Sequence, residues 1–206
     1  ALELIKWNLD KRYLIDLKNQ GVPIVPTNFH DNFESDNLYQ AFDIFSCDEI
    51  ILKPCISANA DDTFRLAREG VADTKFQFES LFQDRPHMVQ PFLKTVVSKG
   101  EYSFFYFDGE FSHAILKTPK PGDFRVQEEH GGVLQSVEPS TDSLKACGKI
   151  MRSLKHIPLY ARIDLIFEKH EDFEFPATNL LVEGKKKQLC LSFSFCHRSR
   201  LPQASE

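Results

Sequence analysis

The stretch KTPKPGDFRVQEEHGG, Lys117 to Gly132, puts two lysines, a Gly-Asp kink, one arginine, two glutamates, a histidine and a glycine pair into sixteen residues. Opposed charges and backbone-freeing glycines gathered in so short a stretch could serve a ligand. A charged surface loop explains the same composition. Lys53 raises a parallel question. It leaves an apolar run, EIILKP, and enters a loop of small residues, CISANA, where a phosphate could lie against backbone. The loop contains no glycine, so this is no Walker pattern, and a solvated strand end accounts for Lys53 as well.

Two acids stand near the ends of apolar runs, Asp164 in ARIDLI and Glu183 in NLLVEG. If those runs pair, both carboxylates converge. Hard oxygen ligands are what Mg²⁺ needs when it bridges nucleotide phosphates, whereas each acid taken singly reads as an exposed strand residue. Glu101 opens the run EYSFFYF as either a solvated strand start or a site acid. His130 is a candidate base or an exposed loop residue, and His113 reads as structural.

The elements that must position these groups follow from local pattern. NLDKRYLIDLKNQG reads as a helix capped by Asp10 and stopped by Gly21, and VPIVPT as a short strand between prolines. EIILKP is a buried strand. NADDTFRLAREG, with Asp61 or Asp62 as cap and Gly70 as stop, predicts a helix after the Lys53 loop, and FQFESLF another. HMVQPFL reads as a strand at an edge or hinge, because Pro91 lacks a ladder donor. The runs flanking Asp108-Gly109 predict a hairpin with a type I′ turn. GVLQSVEP is a further strand and STDSLKACGKIMRSL a helix capped by Ser140 or Thr141. In LYARIDLIFEK, alternation sets Arg162, Asp164 and Ile166 on one face, with NLLVEG as antiparallel partner.

The order implies an α+β protein: a small lobe over residues 1–89, a second lobe with an antiparallel sheet over 90–183, and a divergent tail over 184–206. At 206 residues and 42% hydrophobic the chain can bury a sizeable core. The tail holds five Lys or Arg and one acid, roughly +4 against about −9 for the body. A net charge of −5 gives no nucleic-acid footprint, and no apolar run approaches a membrane span. Five cysteines without CxxC spacing argue against a disulfide framework or zinc site, and the N-terminus shows no secretory signal, so reduced thiols in the cytoplasm are expected.

In combination the residues resemble the ATP-grasp superfamily, most closely its glutathione-synthetase-like and ribosomal-protein-modifying ligases. The resemblance rests on DKRYLIDLKNQGVPIVPT, IILKP, VQPFL, GEYSFFYFDGEFSHAILKTPKPGDFRVQEEHGG and ARIDLI, in that order, with a weaker continuation to Glu183. It implies two α+β lobes with ATP between them, here without the N-terminal domain that usually precedes them. Lys53 and Lys117 would meet the phosphates, and Gln90 with the backbone of Pro91, Phe92 and Leu93 would hold adenine. Glu101 would face the ribose and Arg125 the moving γ-phosphoryl group. Asp164 and Glu183 would ligate Mg²⁺, with Mn²⁺ as an alternative. The activity implied joins a small-molecule carboxylate to an amine or thiol, on amino acids or a peptide, through an acyl-phosphate. Neither nucleic acid nor membrane is expected as a partner, and a homo-oligomer is left open.

Where the resemblance leads one to expect an oxygen ligand two residues after Glu183, the chain has Lys185. That departure keeps a second reading open, a degenerate or truncated module that binds nucleotide without catalysis. A third, a kinase acting on a small alcohol, would share the nucleotide site.

Overall fold

The computed structural model describes residues 2–167. Glu183, Lys185, the NLLVEG run and the basic tail lie outside the described residues. Two four-stranded antiparallel sheets carry the fold. The first has the order β1-β4-β2-β3, built from β1 (Asn28–His30), β2 (Glu49–Pro54), β3 (Phe64–Ala67) and β4 (His87–Pro91). The second has the order β7-β6-β5-β8, built from β5 (Glu101–Phe107), β6 (Glu110–Thr118), β7 (Val133–Val137) and β8 (Tyr160–Leu165). Helices α1 (Leu2–Leu9), α2 (Tyr13–Asn19), α3 (Ser35–Phe45), α4 (Lys75–Phe82), α5 (Thr95–Lys99) and α6 (Thr141–Ser153) complete it.

Each sheet buries one face. Leu38 and Phe42 of α3 and Phe78 and Phe82 of α4 pack on Ile50, Leu52 and Val89 of the first sheet. Tyr13, Leu14 and Leu17 of α2, with Cys147 and Ile150 of α6, pack instead on Phe104, Ala114, Ile163 and Leu165 of the second. Thus α2 precedes the first sheet in the chain yet contributes to the core of the second. Its start also differs in detail from expectation: Arg12 is the residue before the helix, and the Asp10 carboxylate accepts from the Arg12 backbone N–H at 2.9 Å.

Three expected elements take other forms. Residues 22–27 run without a sheet partner, and the strand begins at Asn28. The NADDTFRLAREG stretch is no helix: Phe64–Ala67 forms β3, antiparallel to β2, and Arg68–Thr74 is a 3-10 turn. Burial there has period two, Leu66 turned into the core and its neighbours Arg65 and Ala67 exposed. β4 is an interior strand, not an edge. Pro91 is tolerated because β1 pairs only with residues 87–89, and the next residue, Phe92, turns its N–H to the Glu49 carbonyl of β2 at 2.9 Å. The missing donor of Pro91 therefore points where β1 has already ended.

The hairpin forms as read, with Asp108 at φ 49° and Gly109 at φ 81°, the two left-handed positions a type I′ turn requires. Ser140 caps α6, its hydroxyl accepting from Ser143 N–H.

Candidate nucleotide and metal site

Alternation along the strands of the second sheet sends one set of side chains into the core and the other into a cleft of about 540 Å³. Glu101, Ser103 and Phe105 of β5, Lys117 of β6, and Arg162 and Asp164 of β8 share the cleft face, while Phe104, Tyr106, Ala161 and Ile163 go the other way. Register then brings the polar groups together. Glu101 lies directly across from Lys117, and Ser103 directly across from Asp164.

The result is a buried, mutually neutralising cluster. Lys117 Nζ lies 2.5 Å from a Glu101 carboxylate oxygen and 3.5 Å from Asp164 Oδ1. Arg162 clamps Asp164 with two nitrogens, Nε at 2.9 Å from Oδ1 and Nη2 at 2.9 Å from Oδ2. The Ser103 hydroxyl donates to the same carboxylate. Burial opposes charge on Asp164, but Lys117 and Arg162 outweigh it and hold the carboxyl below its ordinary range. Burial likewise pulls on Lys117, and Glu101 with Asp164 keep its ammonium above its usual value. Glu101, desolvated and close to a second carboxylate, is shifted up.

The first sheet supplies the opposite wall. Ile51 and Lys53 of β2 face the cleft while Ile50 and Leu52 point into the core. Gln90 is buried and donates through Nε2 to Thr27 Oγ1 at 2.8 Å. Beyond it Phe92 and Leu93 join Val25, Val126 and Ile166 in an apolar cluster at the junction of the two sheets. Phe92 is fixed from both sides: Phe124 meets its ring edge-on at 5.9 Å, and the Arg65 guanidinium, held at 2.6 Å by Glu49, lies 3.9 Å from its centroid.

Of the residues singled out in the sequence, Lys53, Gln90, Pro91, Phe92, Leu93, Glu101, Lys117 and Asp164 line this one cleft. Arg125 does not. Its guanidinium is turned onto Asp123, with Nη2 at 2.9 Å from Oδ2, while its neighbours Phe124 and Val126 face the cleft. The reason is local: Asp123 follows Gly122 (φ 84°) and accepts from the backbone N–H groups of Phe124 and Arg125 as well, which makes it a ready partner. Glu183 lies outside the described residues.

Three contributors escaped the sequence reading. Arg162 shares a face with Asp164 by alternation, and that signal was available. Ser103 could be found only from strand register. Lys11 comes from the turn between α1 and α2, its Nζ donating to the Ser57 carbonyl at 3.0 Å and to the Ser57 hydroxyl at 2.9 Å. Burial, with the charge of Lys53 added, lowers the Lys11 ammonium to about 8. Two ammonium groups close enough to repel each other, beside a loop of small residues, form a site that favours an anion. Among the described residues no group of three or more His, Cys, Asp or Glu forms a metal cage. The carboxylates that line the cleft, Glu101 and Asp164, face Lys117 and Arg162.

Comparison with known proteins agrees with this geometry. Residues 34–172 match the family model described as the prokaryotic glutathione synthetase ATP-grasp domain. A cycloserine biosynthesis protein, DcsG, of Streptomyces lavendulae is 33% identical over 121 residues, 56% of this chain and 40% of that protein. A glutathione synthetase of Prochlorococcus marinus is 31% identical over 123 residues, 58% of this chain and 39% of that one. The chain thus matches about two-fifths of the length of these curated relatives. The crystal structure of the D-cycloserine synthetase DcsG superposes with a TM-score of 0.74 at 22% identity, covering 96% of this chain and 65% of that one. D-alanine–D-alanine ligase from Bacillus anthracis superposes with a TM-score of 0.56 at 16% identity, covering 78% and 53%, a likeness of fold alone. Two antiparallel sheets enclosing a lysine-lined cleft and a family match over most of the described residues lead to one assignment: this chain belongs to the ATP-grasp superfamily, in its glutathione-synthetase-like branch.

Proposed function

We propose that the cleft binds ATP and that the protein to which this chain belongs joins a carboxylate to an amine or thiol. The observation that carries the reading is the meeting of Lys53 and Lys11 on one wall with Lys117, Arg162 and Asp164 on the other, beside an apolar junction. Gln90 and the backbone from Pro91 to Leu93, next to Phe92 on its Arg65 support, hold adenine. Lys53, Lys11 and Lys117 receive phosphate oxygens, and Glu101 accepts from a ribose hydroxyl. Asp164, with Glu183, would hold Mg²⁺ or Mn²⁺, and the ion would supply neutralisation of phosphate charge.

The chemistry asked of these residues is positioning and charge stabilisation. A substrate carboxylate oxygen attacks the γ-phosphorus, the bond to the β-phosphate oxygen breaks, and ADP leaves. The amine then attacks the acyl carbon, phosphate leaves with the electron pair, and the amine gives up a proton. Arg162 stands in the cleft wall as resident positive charge, and Arg125 joins by exchanging Asp123 for the transferring group. Substrates of amino-acid or peptide type and a cytoplasmic setting belong to the same reading. No helix among the described residues is long and apolar enough to cross a membrane.

The test is calorimetric titration with ATP, with and without Mg²⁺, followed by ADP release against a panel of amino acids. Binding with amine-dependent ADP release supports the ligase. Binding without ADP release marks a nucleotide-binding module, release with a phosphorylated alcohol and no amine marks a kinase, and no binding refutes the reading.

A further inference from the structure

Two loops from different sheets meet across the cleft. Residues 55–63 join β2 to β3, and residues 119–132 join β6 to β7. Ala58 and Asn59 of the first and Glu128 and Glu129 of the second line the same cavity. Between them His130 Nε2 lies 3.0 Å from the Asn59 carbonyl oxygen, so that ring nitrogen carries the hydrogen and donates. Both sides are built to make the contact. Asn59 and Ala60 hold the left-handed backbone at φ 50° and 58°, a conformation residues with a Cβ seldom adopt, and Gly131 at φ 84° turns the chain directly after the histidine. The rest of loop 55–63 is pinned on its own side, at Ser57 by Lys11 and at Asp62 by Arg85 Nη1 at 2.6 Å.

We infer that His130 is a positioning residue: its bond to the Asn59 carbonyl latches loop 119–132 onto loop 55–63, over the part of the cleft into which Lys11 and Lys53 project, and slows the escape of a bound phosphate-bearing ligand. The nature of that ligand rests on the nucleotide reading above; the latch itself does not. A carboxamide reaching from the same position supplies the same donor, which makes His130→Gln the conservative variant.

The whole chain is compared as parent, His130→Ala and His130→Gln. Without ligand, amide hydrogen exchange in residues 57–63 should be faster by roughly fivefold in His130→Ala, about what one exposed hydrogen bond contributes, and near the parent rate in His130→Gln. Exchange in α6 should be the same in all three. With a fluorescent ATP analogue and Mg²⁺, the dissociation rate should rise by a similar roughly fivefold in His130→Ala. Unchanged exchange in residues 57–63 of His130→Ala overturns the latch, as does a glutamine variant that behaves like alanine. Unchanged dissociation from a variant that still binds overturns its role in retention. A parent that binds no nucleotide analogue but shows the exchange effect supports the latch and rejects the nucleotide reading instead.

Discussion

At Asp164 the proposed metal contact and the stability of the fold depend on the same atoms. Its carboxylate sits between Arg162, Lys117 and Ser103 with 1% exposure, so removing its charge leaves two buried cations with one fewer anion. Asp164→Asn should therefore lower stability by about 3 kcal/mol, read as a shift of the denaturant midpoint, and should abolish any strengthening of ATP binding by Mg²⁺. The pH sign follows from the lowered carboxyl. Its contribution is present above the ordinary value of 3.8 and is lost as pH falls through the lower folded value. Lys11 makes the complementary case. An ammonium lowered to about 8 is losing its proton under mildly alkaline conditions, so affinity for ATP should decline between roughly pH 7.5 and 9. Lys11→Arg, which stays charged, should flatten that profile in a titration series; an unchanged decline would assign it to another group.

At the scale of elements, two close contacts constrain the chain. Gly132 is placed where a Cβ would lie 2.1 Å from the Val126 carbonyl oxygen and 2.6 Å from its carbon, because residues 126–132 fold back on themselves with Gly132 N–H bonded to the Gln127 carbonyl at 3.0 Å. Gly132→Ala should cost about 1–3 kcal/mol by denaturant melt and loosen the loop that carries His130. The pairing of β1 with β4 carries a pH dependence of its own. His30 and His87 are cross-strand partners with rings 5.5 Å apart, and burial, with each other's charge added for His30, lowers both. Asp31 and Glu34 are too weak to reverse this for His30. The unfolded chain takes up protons at the ordinary value of 6.5 while the folded one resists, so stability should fall as pH drops below about 6.5. His87→Phe should reduce that slope in thermal melts across pH 5 to 7.

For the molecule as a whole, local signals carried far into the fold, and failed where a long-range partner decides. Asp108-Gly109, Ser140 and the alternation of ARIDLI report on their own neighbours, and each takes the expected form. Phe64–Ala67 became a strand because β2 offers it an open edge, which no window of local sequence contains. Of the two readings of Pro91, edge or hinge, the edge does not hold: β4 is interior, and the ladder beside it ends three residues into β1. In the site, Lys53, Glu101, Lys117 and Asp164 were legible as residue types at family-like spacing, whereas Ser103 and Lys11 join them only through register and through a turn 42 residues upstream of Lys53. The position of Arg125 beside Asp123 depends on a carboxylate two residues away that competes for its charge.

The account stands on a nucleotide lying between the two sheets with its phosphates on Lys53, and calorimetric titration of ATP in the presence of Mg²⁺ tests this most directly. Each charge-assisted contact of this kind contributes about 1.5–3 kcal/mol, so Lys53→Ala should bind roughly ten- to a hundredfold more weakly than the parent while its ligand-free melting temperature stays close to the parent's. Equal affinity in the two proteins, or a well-folded parent that binds no ATP at all, would contradict the account.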